Sequence, residues 1–105
     1  MMKLNFESVD EAKQVWEDIT GARLEKTYVD NIVEAVTEGL ASNSKSVVLF
    51  EVHVADANGY YQITTPRSQW KGAIEACFNF YEEKGSVDER IDTYLLLKDL
   101  EKIAV

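Results

Sequence analysis

Ser46-Val47-Val48-Leu49-Phe50-Glu51-Val52-His53-Val54, followed after Asp56-Ala57-Asn58-Gly59 by Tyr60-Tyr61-Gln62-Ile63-Thr64-Thr65, organises the chain. The first run is β-branched and apolar and takes up a period of two in its second half, as a strand with one buried face does. Asp56 to Gly59 supplies residues that tolerate positive φ, so the second run is expected to return as the antiparallel partner of a hairpin over about 46–65. Parity puts Phe50, Val52 and Val54 on one side with Tyr61 and Ile63. Glu51 and His53 share the other with Tyr60, Gln62 and Thr64.

Upstream of the hairpin, Leu4 and Phe6 alternate with polar neighbours, and a strand over about 3–7 is the candidate third member of the sheet. Ser8-Val9-Asp10-Glu11 has the form of a capping box, and Val9, Ala12, Val15, Trp16 and Ile19 follow at helical spacing up to Gly21. A second helix is expected from about Thr27 to about Ser42. Val29, Ile32, Val33, Val36 and Leu40 form its apolar stripe, widened by Tyr28 and Ala35.

Downstream, Thr65-Pro66 predicts the start of a third helix, with proline at its first position and threonine as the cap. Trp70, Ala73, Ile74, Cys77, Phe80 and Tyr81 share one face of it, with Phe78 at the margin, and Lys84-Gly85 closes it. Ser86-Val87-Asp88-Glu89 repeats the capping-box pattern ahead of a last helix through about Ile103. That helix is apolar on two sides. Ile91, Tyr94 and Leu95 form one stripe; Leu96, Leu97, Leu100 and Ile103 form another roughly opposite. Either the neighbouring helices cover both, or one stripe is an interface. Leu96, Leu97, Leu100 and Ile103 are the candidate oligomer interface, and a homodimer the corresponding partner. The expected fold class is α+β: a small antiparallel sheet packed by about four helices in the order β-α-α-β-β-α-α.

With 105 residues and one short hairpin, the chain has material for a single domain over 1–105. Its one cysteine, Cys77, and one histidine, His53, exclude an intramolecular disulfide and a four-ligand Cys/His zinc site within one chain. Residues 1–7 lack the apolar stretch of a signal peptide, and no apolar run reaches the length of a membrane span. A reducing, intracellular (cytoplasmic) setting is the expectation. Nineteen carboxylates against eleven Lys and Arg give a formal charge of −8, which opposes direct sequence-independent binding to nucleic acid or to an anionic membrane.

The most specific polar feature lies on the second helix. Asp30, Glu34 and Glu38 follow at i, i+4 and i+8 with no Lys or Arg between Lys26 and Lys45. Like charges at this spacing destabilise a helix by ~0.2–0.5 kcal/mol per pair, and Glu38 sits near the end where the helix dipole disfavours an anion. The stripe is either a solvated face or a surface that docks on a basic patch of another protein. Carboxylates about 6 Å apart along a rod also approach the spacing of phosphates on one nucleic-acid strand. In charge and size alone the chain resembles small acidic nucleic-acid mimics such as phage-encoded inhibitors; no residue pattern carries that likeness.

Other constellations are weaker. Asp10, Glu11, Asp88 and Glu89 belong to helix first turns, where they complement the dipole. Asp56-Ala57-Asn58-Gly59 matches a calcium loop only in fragment and is better read as a hairpin turn. His53 and Cys77 are the one thiol and the one imidazole that could form a nucleophilic dyad, but Cys77 falls on an apolar helix face. Tyr60, Tyr61, Arg67, Trp70 and Lys71 bring aromatics and cations together as a base-stacking platform does, although Trp70 also fits the core and Arg67 and Lys71 could pair with acids such as Glu75. No nucleophile elbow, phosphate loop or metal-ligand pair is present, and no cofactor is implied. The expected function is therefore that of a small acidic non-enzymatic adaptor or inhibitor docking Asp30, Glu34 and Glu38 on a basic protein surface. The alternative is a structural subunit that self-associates through the last helix.

Overall fold

The computed structural model describes residues 2–6, 8, 10, 11, 14, 17, 25–54 and 60–103. Its elements are β1 (Met2–Phe6), α1 (Lys26–Ala41), β2 (Ser46–Val54), β3 (Tyr60–Pro66), a 3₁₀ turn (Arg67–Gln69), α2 (Trp70–Lys84) and α3 (Val87–Glu101). The class is α+β, and β2 and β3 form an antiparallel pair. Among the described residues no helix is long and apolar enough to cross a membrane.

The sheet order is β1-β2-β3. It departs from the expected all-antiparallel arrangement, because Met2–Phe6 runs parallel to β2, with Leu4 opposite Val52. A helix-bearing connection of some forty residues separates the two, and such a crossover permits parallel pairing where a short turn cannot. The expected first helix falls mostly outside the described residues; Glu11 N–H donates to Ser8 Oγ at 3.2 Å, one half of the expected capping box. The hairpin turn at Asp56–Gly59 also lies outside the described residues.

In the distal half of the hairpin the register sets Phe50 opposite Ile63, Glu51 opposite Gln62, Val52 opposite Tyr61 and His53 opposite Tyr60, in agreement with the parity of the sequence. Between Val48 and Phe50 the register shifts, and Leu49 is passed over. This bulge explains why Val47-Val48-Leu49-Phe50 has no period: an extra residue exchanges the two faces of the strand. Leu49 is buried there, and so is Thr65 on the opposite strand.

The third helix starts later than Thr65-Pro66 predicts. Pro66 continues β3 opposite Ser46 with φ −70° and ψ 154°, the 3₁₀ turn follows, and α2 begins at Trp70 with no side-chain cap. A proline at the end of an edge strand loses no ladder bond that the sheet requires. Arg67 N–H then donates to Lys45 O at 2.9 Å, which ties the 3₁₀ turn to the start of β2.

One core unites these elements. Val29, Ile32 and Val36 from α1, Leu49 from β2, Trp70, Ile74, Cys77 and Tyr81 from α2, and Leu96 and Leu100 from α3 are all buried. Trp70 is fully enclosed, and its indole Nε1–H donates to Thr65 O at 3.0 Å. Gly39 permits this packing, since a Cβ there would lie on Val47 Cγ1 and 2.9 Å from the Trp70 ring. Gly85 is needed for a similar close approach, because a Cβ would come within 2.8 Å of the Tyr81 backbone.

Candidate functional site

The capping box at the start of α3 forms as expected, with Glu89 N–H donating to Ser86 Oγ at 3.2 Å and Ser86 N–H to Glu89 Oε1 at 3.0 Å. The two apolar stripes of this helix have different fates. Leu96 and Leu100 enter the core, and Leu97 and Ile103 pack partly against it. The candidate interface of Leu96, Leu97, Leu100 and Ile103 is therefore corrected: its own chain covers it. The opposite stripe stays open, with Val87 58%, Ile91 50%, Tyr94 49% and Leu95 55% exposed.

This open stripe continues into a groove of about 340 Å³ between α2 and α3, lined by Phe78, Glu82, Val87, Arg90, Ile91 and Tyr94. The Phe78 and Tyr94 rings meet at 6.4 Å and 49°. Lys98 lies over the Tyr94 ring at 5.3 Å and forms a loose, exposed pair with Glu101 at 3.5 Å. Arg90 Nε is buried without a hydrogen-bond partner. Val87 escaped the sequence reading of this face, although it lies four residues before Ile91, a spacing that places it on the same stripe. Arg90 and Glu82 could not be assigned to the groove before the packing angle of α2 against α3 was known.

The acidic stripe of α1 divides. Asp30 is drawn into a polar knot at the junction of the three helices, where it accepts from Tyr81 Oη at 2.5 Å and from Lys26 Nζ at 2.8 Å. Lys26 Nζ also reaches Glu89 of α3 at 2.9 Å. These contacts hold Lys26 above its ordinary value, through its hydrogen bonds to Asp30 and Glu89, and lower Glu89 through its bond from Lys26. Burial, then the hydrogen bond to Asp30, push the Tyr81 hydroxyl upward. Asp30 thus helps to assemble the fold. Glu34 and Glu38 remain exposed and, among the described residues, without an ion pair.

Two chemical candidates lose their basis here. Cys77 is wholly buried, its Sγ lies 3.9 Å from Val29 O, and burial pushes the thiol up to about 12, so the nucleophilic thiolate is disfavoured. The His53 side chain, the other half of the dyad, lies outside the described residues. The base-stacking platform would need an accessible Trp70, and that ring is enclosed. Arg67 covers it at 5.6 Å and bonds Asn43 Oδ1 at 3.0 Å, whereas the sequence suggested an acid as its partner. Among the described residues no group of His, Cys, Asp or Glu side chains could hold a metal ion. Compared with known protein families, curated proteins and solved structures, the chain matches none of them, and the functional reading rests on the site itself.

Proposed function

We propose that this chain is a non-enzymatic interaction protein that works in the cytoplasm and self-associates through the outward face of α3. The observation that supports it is the open stripe of Val87, Ile91, Tyr94 and Leu95 beside the α2–α3 groove. Four large apolar side chains at consecutive turns of one helix are more than solubility requires, and contiguous patches of this kind serve as interaction surfaces. The acidity keeps the chain soluble while that face is free. Sedimentation of the purified protein at micromolar concentration tests the reading. A dimer that Leu95→Glu converts to a folded monomer supports it, and a monomer at every concentration refutes it.

A second reading keeps the acidic helix as the docking face, with Glu34 and Glu38 meeting a basic surface of another protein and, where that surface binds nucleic acid, acting as a mimic. Its support is the exposure of these two carboxylates. Asp30 no longer contributes freely, because Tyr81 and Lys26 hold it. Capture of a basic protein at low salt, lost with Glu34→Lys and Glu38→Lys, would favour this reading over self-association.

A further inference from the structure

β3 lies at an edge of the sheet, and one hydrogen bond tells which of its backbone groups point away from β2. Arg67 N–H donates to Lys45 O, so these two form a bonded pair just beyond the ladder, and Ser46 and Pro66 beside them form a non-bonded pair. Alternation then turns the N–H and C=O groups of Thr65, Ile63 and Tyr61 toward β2. The bulge leaves this alternation intact, because its extra residue, Leu49, belongs to β2. Tyr60, Gln62 and Thr64 therefore point their N–H and C=O groups outward, and Pro66 its carbonyl alone. Among the described residues no strand and no backbone hydrogen bond meets them. Open edges are commonly guarded by charged side chains, yet Tyr60–Thr65 has none in a chain of which 29% is charged. Gln62 and Thr64 are exposed.

A row of alternating donors and acceptors is complemented by another strand. Two chains of formal charge −8 repel, and this uncharged run is where a second copy approaches without setting carboxylate against carboxylate. Ile63 is the middle residue of Tyr60–Pro66. A two-fold axis there sets Gln62 opposite Thr64 of the other copy and Tyr60 opposite Pro66, so each outward N–H meets a carbonyl, and Pro66, which has no N–H to give, falls at the two ends. The same register keeps the half-buried Ile63 and the buried Thr65 of both copies on one face. We infer that β3 pairs antiparallel about Ile63 with β3 of a second copy, which joins the two three-stranded sheets into one. The inference uses a different surface from the α3 face and does not rest on it. It buries mainly polar side chains against the mutual repulsion of the chains, so it forms at higher protein concentration than the α3 contact.

The full chain with Leu95→Glu, which removes the α3 contact, isolates the β3 contact. Its sedimentation between about 10 µM and 1 mM should show a monomer in equilibrium with a dimer. Added salt should favour that dimer by screening the like charges. Thr64→Pro in the same chain should abolish it with the fold retained in circular dichroism, since the Thr64 N–H points outward and proline there removes an edge donor but no β2–β3 bond. A measurement that leaves β3 unaltered is hydrogen exchange of the Gln62 amide, which should slow by about tenfold or more across the same concentration range. A Leu95→Glu chain that stays monomeric throughout, a dimer that persists with Thr64→Pro, or a Gln62 amide indifferent to concentration overturns β3 pairing. The α3 reading is decided separately, by whether the wild type is a dimer at micromolar concentration.

Discussion

The side-chain amide of Asn31, buried in α1, donates to the backbone carbonyl of Leu49, the residue that the β2–β3 register passes over. A bulge removes a carbonyl from the ladder, and a buried carbonyl needs another donor. Asn31 supplies it from the neighbouring layer and thereby fixes where α1 sits on the sheet. Asn31→Leu should accordingly destabilise the protein by about 1–3 kcal/mol, since the carbonyl stays buried without its donor. Urea denaturation would show a lowered midpoint at an unchanged slope. A midpoint equal to that of the wild type would mean that the bulge is satisfied without Asn31.

Two glycines offer opposite outcomes for one substitution. At Gly39 an added methyl group meets Val47 and the Trp70 ring, both fixed in the interior, and Gly39→Ala should cost about 1–3 kcal/mol through overpacking. At Gly72, inside α2, nothing lies within 4 Å of the added carbon. Gly72→Ala should raise stability by roughly 0.5–1 kcal/mol by restricting the unfolded chain and favouring the helix. Thermal melts of the two variants should move in opposite directions.

The two stripes of α3 should separate by truncation. Leu100 is 4% exposed and packs in the core, so Leu100→Ala should lose about 2–4 kcal/mol of folding free energy. Leu95 is 55% exposed, and Leu95→Ala should leave the stability of the folded monomer within about 0.5 kcal/mol of the wild type. Equal losses would show that the outward stripe is also covered within the chain.

Much of this arrangement was legible because periodicity is a local signal. The stripe of α1, the inward face of α2, the hairpin register beyond Phe50 and the cap of α3 all follow from spacing and side-chain chemistry within a few residues. The rest depended on contacts distant in sequence. Pro66 reads equally as a helix start or the end of an edge strand, and its pairing with Ser46 decides between them. Which stripe of α3 faces the core depends on α2, so the leucine-rich side, the more apolar of the two, went inward. Asp30 looked like one of three equivalent carboxylates because its partner Tyr81 lies fifty-one residues away.

Burial of Cys77 and Tyr81, with Asp30 beside them, also sets an alkaline limit on stability. Cys77 is raised from its usual 9.0 to about 12 by burial and then by Asp30. Tyr81 is raised from 10.0 by burial and then by its hydrogen bond to Asp30. Both groups hold their protons more tightly in the folded state than in the unfolded chain. Their contribution is therefore complete below about pH 9, and it declines as the pH rises, because the unfolded chain releases protons that the native state retains. Each group adds a slope of up to about 1.4 kcal/mol per pH unit across its own window, Cys77 from about 9 to 12 and Tyr81 from 10 upward. Lys26, raised through Asp30 and Glu89, acts in the same direction above its usual 10.5. Glu89 is lowered, so its contribution is present above the usual carboxylate range and is lost toward acid. Urea denaturation of wild type and Tyr81→Phe between about pH 8 and 11 checks this: the variant should start lower by about 1 kcal/mol, for the lost hydrogen bond, and fall less steeply above pH 10. Parallel curves would mean that the Tyr81 hydroxyl titrates alike in the folded and unfolded chains.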